Sequence, residues 1–179
     1  MHIPTHVLSG WCLANVLPLN SRERFLCIAA ASAADVDGLG LLWSGSAFLE
    51  YHHVIGHNLT FGVLLALGLS FFFQRRVLAF FLCLFLFHLH LLLDLLGSGE
   101  GWTISYFWPF RAQTFSLAWS WDFDAWQNYL CLGLLLLWTA RILVKHQRSP
   151  LEYFWPYADR LFVRLAHPDF SWNRWIGLS

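Results

Sequence analysis

His90-Leu-Leu-Leu-Asp94 sets an imidazole and a carboxylate four residues apart inside an otherwise apolar run. On a helix that spacing stacks both side chains on one face. Such a pair can chelate one metal ion, or the carboxylate can orient the imidazole; the plainer alternative is a buried hydrogen bond that ties two helices together. Three other segments carry the same chemistry. His6 follows Thr5, Asp35 and Asp37 flank Val36, and His52, His53 and His57 crowd into His52-His-Val-Ile-Gly-His57, where Gly56 allows a bend. With four segments offering ligand-type groups, a metal accounts for the set better than a helix-pairing contact. His6, Asp37, His52, His57, His90 and Asp94 are the candidate ligands of one metal centre. Mixed His/Asp ligands suit zinc, with manganese or iron as alternatives. Asp35, beside a ligand, is the candidate general base. Arg111 is the candidate phosphate contact, because a guanidinium grips two phosphate oxygens at once; it could equally balance a neighbouring acid. His88 falls about 200° around the helix from His90 and cannot share its face.

These residues must be positioned by hydrophobic helices. Only 12% of the 179 residues are charged and 58% are hydrophobic, against roughly 25% charged in a soluble domain. A surface of that composition aggregates in water and is solvated by a bilayer. Apolar runs cover Ile3 to Leu17, Phe25 to Ala34, Leu59 to Phe73, Val77 to Leu96 and Tyr129 to Val144. Val77 to Leu96 is the clearest span; the earlier runs fall short of the roughly 20 residues a crossing needs. From Ser149 onward apolar and charged residues mix, as in a helix lying in the interface, with Trp172 and Trp175 as further anchors. The expected fold is all-α: a polytopic membrane bundle of about four to five hydrophobic helices plus a C-terminal interfacial amphipathic helix. Residues 1–148 would form the membrane domain with the metal site, and 149–179 the interfacial segment.

Basic residues give the orientation. Arg22 and Arg24, then Arg75 and Arg76, then Arg141, Lys145 and Arg148 follow alternate runs. If these groups are cytoplasmic, the N-terminus is outside, only Arg111 is an outer cation, and the ligand residues share the outer side. From Arg76 to His90 is about 21 Å of helix, within a hydrocarbon core about 30 Å thick. Ionisable groups at that depth are expensive and should face the bundle interior. The acids on the same side, unbalanced except by Arg111, call for a cation.

Other chemistries find little support. The formal net charge is zero, so nucleic acid is not an expected partner. Cys12, Cys27, Cys83 and Cys131 stand singly in apolar runs and read as packers. No Gly-x-Ser-x-Gly signal points to a serine nucleophile.

Thr5-His6, Asp35-Val-Asp37, the His52 to His57 segment, His90-Leu-Leu-Leu-Asp94-Leu-Leu, Gly99 and Trp108-Pro-Phe110 resemble, in order and spacing, the YdjM-type bacterial inner-membrane proteins, described as predicted metal-dependent hydrolases. The resemblance runs from about residue 5 to about residue 111. The family's usual His-Arg-Gly-x-Thr-His-Ser stands here as His52-His-Val-Ile-Gly-His57-Asn58. The same order of His, Asp, His and HxxxD is distantly similar to zinc-dependent phospholipase C, whose later zinc ligands have no counterpart here. The resemblance implies a bacterial inner-membrane location and a metal-dependent hydrolase. Taken with the outer-side site, the expected substrate is a lipid-borne phosphoester or related lipid of the outer leaflet, with membrane lipids as partners. The alternatives are a haem or electron-transfer subunit using His88 or His90, a non-catalytic ion or proton pathway, and a scaffold.

Overall fold

The computed structural model describes residues 1–167, apart from the side chains of residues 47, 49 and 50; the expected anchors Trp172 and Trp175 lie outside the described residues. Helix α1 (Ile3–Ala14) opens on Pro4, whose missing N–H costs nothing in a first turn. Helix α2 (Ser21–Ser32) begins earlier than its apolar run because Asn20 and Glu23 form a reciprocal capping box, Glu23 N donating to Asn20 Oδ1 and Asn20 N to Glu23 Oε2. The chain then tightens into a 3-10 segment, Ala33–Leu42, where the sequence suggested only a helix end. Helix α3 (Gly45–Tyr51) follows. Helix α4 (Leu59–Ser70) is N-capped by Asn58, whose Oδ1 accepts from Phe61 N. Helices α5 (Arg76–Gly97) and α6 (Trp126–His146) are the two longest, and α6 ends at Gln147 with φ 51°. Helix α7 (Pro156–Ala166) closes the described chain. Among the described residues, strand-like pairing is confined to one bridge between Ile104 and Phe115.

Among the described residues, three helical stretches are long and apolar enough to cross a membrane: Ser21–Leu42, Arg76–Gly97 and Trp126–His146. Helix α4 is apolar but has only 12 residues, about 18 Å. Val77, Phe81, Phe85 and Leu92 on α5, and Leu134 and Leu137 on α6, are exposed. In water such a belt would be an aggregation surface; against acyl chains it is solvated. The all-helical membrane bundle expected from the sequence is the architecture found.

Small residues bring the helices close, as membrane bundles require. Cys27, Ala30, Ala31, Ala66 and Cys83 form much of the core. A Cβ at Gly10 would sit 2.7 Å from Ala31 Cβ, and one at Gly62 would sit 2.3 Å from the Phe87 ring. Those approaches seat α1 on α2 and α4 on α5. Cys12, Cys27 and Cys83 are buried and unpaired, in keeping with a packing role. At the opposite end of α5 from Asp94, Arg24 on α2 grips Glu152 through Nε at 2.6 Å and a terminal nitrogen at 2.5 Å, and Trp11 Nε1 donates to the same carboxylate at 3.2 Å. The segment after α6 is thus fastened to α1 and α2.

Candidate metal centre

Four elements deliver side chains to Asp94, near the end of α5. His6 comes from α1, Asp35 and Asp37 from the 3-10 segment, His52, His53 and His57 from the turn before α4, and His90 from one turn earlier on α5. Asp94 Oδ2 lies 3.0 Å from His90 Nε2 and 3.2 Å from His57 Nε2. Asp94 Oδ1 lies 3.1 Å from His6 Nε2 and 2.5 Å from the Met1 amine, which also donates to Ser98 Oγ at 2.8 Å. All but Asp35, which is about one-fifth exposed, and His52, which is partly exposed, are buried. The expected common face of His90 and Asp94 is found, and the structure brings every candidate ligand into one connected cluster.

The tautomers follow from the acceptors. His90 Nδ1 lies 2.7 Å from the Ala31 carbonyl, which can only accept, so Nδ1 carries the proton. His57 Nδ1 lies 2.8 Å from Asp37 Oδ2 and carries its proton for the same reason. In the neutral rings both Nε2 atoms therefore present lone pairs, and they face each other at 3.1 Å. Asp94 Oδ2 and Asp35 Oδ1, the latter 3.6 Å from His90 Nε2 and 4.0 Å from His57 Nε2, add two anionic oxygens. Four electron-rich atoms around one point repel unless a cation or a proton stands among them.

Their spacing suits a metal. Ligand atoms about 2.0–2.2 Å from a tetrahedral zinc are about 3.3–3.6 Å apart. The separations just given run from 3.0 to 4.0 Å, and all four atoms lie within 4.8 Å of one another. The donor set Asp35, His57, His90 and Asp94 therefore fits a divalent ion.

Asp37 organises a second group. Its Oδ1 accepts from His52 Nδ1 at 2.8 Å, and its Oδ2 accepts from His57 Nδ1 and, at 3.1 Å, from Gly56 N–H. Asp37, His52 and His57 could hold an ion by proximity alone. With both oxygens occupied by N–H donors, Asp37 is better suited to orient His57 toward the first group. The two carboxylates of the 3-10 segment thus divide the work: the expected base Asp35 has an oxygen in the four-donor set, and the expected ligand Asp37 supports it. Burial penalises a charged His57, but its hydrogen bonds to Asp37 and Asp94 outweigh that and raise the imidazole to about 9. His53 moves the other way: burial, then the neighbouring His57, push it down to about 3.

Beside the cluster is a cavity of about 170 Å³ lined by Asp35, Asp94, His52, His53, Ser98 and Trp102, among others. Ser98 and Trp102 were not singled out by the sequence, which offered His53 as one of three clustered histidines but gave it no role. Ser98, one helical turn beyond Asp94, was the one that spacing could have found. Arg111 is exposed, makes no ion pair among the described residues, and does not line the cavity. His88 stands apart, with Nδ1 on the Leu84 carbonyl and Nε2 on the Tyr106 hydroxyl. Both nitrogens are engaged, which does not favour an axial ligand.

Neither a curated protein nor a solved structure matches the chain. A family model does, described as YdjM inner membrane protein, and it covers residues 1–166, so that α1 through α7 all fall within it. The chain belongs to the YdjM inner membrane protein family.

Proposed function

We propose that this protein is a membrane-embedded, metal-dependent hydrolase acting on a lipid-borne phosphoester. The observation that carries the reading is the set of four lone-pair donors, Asp35 Oδ1, His57 Nε2, His90 Nε2 and Asp94 Oδ2, clustered around one point beside a cavity that Asp35 and Asp94 help to line. A divalent ion held there, zinc or alternatively manganese or iron, would polarise a phosphoryl oxygen and make a water molecule more acidic. The chain's own groups do the rest. Ala31 O and Asp37 fix the tautomers of His90 and His57. Asp35 Oδ2 is buried without a hydrogen-bond partner and is free to take a proton from that water. His6 Nε2 holds the other oxygen of Asp94. Arg111 has no part in this reading.

Depth supports a lipid substrate. Asp94 lies three residues from the end of a 22-residue candidate span, about 5 Å along the axis; in a bilayer that depth would be within reach of a headgroup, whereas a soluble substrate would need its own path. The test is hydrolysis of fluorescent phospholipids and isoprenoid phosphates by the purified protein, with and without chelator. Turnover that is lost with chelator and in Asp94→Ala supports the reading. Metal bound with full turnover in Asp94→Ala would make the ion structural and end the hydrolase assignment.

A further inference from the structure

His53 is buried, lines the cavity, and belongs to neither group of metal-ligand atoms. Its Nδ1 has no hydrogen-bond partner, and its Nε2 is 4.0 Å from Asp94 Oδ2, too far to bond. Yet the ring is held firmly. It packs 4.4 Å from the centroid of His57, 4.4 Å from that of His52 and 5.2 Å from the indole of Trp102. The backbone is held as well: His53 O accepts from Ser105 N at 3.2 Å, and φ is 67°, a region costly for a residue with a side chain. An imidazole placed at such cost, buried and unsatisfied, lacks a partner that the fold does not supply. The cavity, about 170 Å³, has room for about five or six waters, the size of a small polar group rather than of an acyl chain.

We propose that His53 is the contact for the phosphoryl oxygens of the ligand, donating a hydrogen bond from beside the metal group, where both line or adjoin the same cavity. The proposal rests on the hydrolase reading for the nature of the ligand and replaces Arg111 as the phosphate contact. Its chemistry is shared by a lipid phosphomonoester headgroup and free phosphate.

The test uses His53→Gly, because glycine accepts the backbone angle without strain; His53→Asn, which also tolerates it and whose amide is shorter, serves the same comparison if the glycine variant is not recovered folded. Zinc content and calorimetric affinity for inorganic phosphate and for short-chain phosphatidic acid are measured for wild type and variant in detergent. The expected result is unchanged zinc content and an affinity for both phosphates roughly tenfold or more weaker in the variant. Weakening for phosphatidic acid alone, with no binding of inorganic phosphate by wild type, supports the contact and assigns the source to lipid. Equal affinities in the two proteins, or wild type binding neither inorganic phosphate nor phosphatidic acid, overturn the proposal. A fall in zinc content makes His53 a ligand and overturns it too. Wild type without zinc, manganese or iron defeats the hydrolase reading instead, and the phosphate comparison still decides the role of His53.

Discussion

His57 Nε2 and His90 Nε2 face each other at 3.1 Å while each ring's Nδ1 is already committed to an acceptor, Asp37 for one and Ala31 O for the other. Two lone pairs so placed, with Asp94 Oδ2 within 3.2 Å of both, need a positive charge between them.

Ligands and their supports should separate in a chelator competition. His90→Ala removes a donor atom and should weaken zinc binding more than a hundredfold. Asp37→Asn removes only the carboxylate that orients His57 and His52, and should cost roughly 10–100-fold. If Asp37→Asn abolishes binding as completely as His90→Ala, Asp37 is itself a ligand and the ion sits nearer His52.

The metal-free protein should show an alkaline weakness. The folded-state value of His57 is raised, from 6.5 to about 9. Its contribution to stability is therefore complete below pH 6.5 and lost as pH rises through 9. Thermal melts of chelator-treated protein should fall in midpoint between those values. Metal-loaded protein, in which the ion replaces that proton, should not show the fall. A metal-free midpoint flat from pH 6.5 to 9 contradicts the charge balance described here.

The sequence carried the helix-borne part of the site and not the loop-borne part. His90 and Asp94 were legible because α-helical spacing alone puts them on one face. Membrane helices were legible because a long apolar run has few other solutions. Asp35 and Asp37 were legible as chemistry but not as roles. They lie in a 3-10 segment, where three residues per turn set positions two apart about 240° around the axis, so one reaches His90 and the other His52 and His57. That segment replaces a plain helix end, and periodicity does not distinguish the two. His53 was illegible because its role depends on a positive φ that no residue type there announces. Arg111 was selected by charge alone, and charge says nothing about distance from the cluster.

Orientation is open to direct labelling. Glu100 and Gln147 are exposed and follow opposite ends of the bundle, after α5 and after α6. In a Cys131→Ser background, Glu100→Cys should react with an impermeant maleimide from outside intact cells, and Gln147→Cys only after permeabilisation. The reverse pattern would put the site on the cytoplasmic face and redirect the substrate to that leaflet.

The central claim is that Asp35, His57, His90 and Asp94 surround a metal ion. Elemental analysis of purified wild-type protein beside Asp94→Ala tests it most directly. About one equivalent of zinc, manganese or iron per chain in wild type, and little in Asp94→Ala, is the predicted result. Wild-type protein that carries no transition metal, and acquires none on dialysis against zinc at neutral pH, would contradict it.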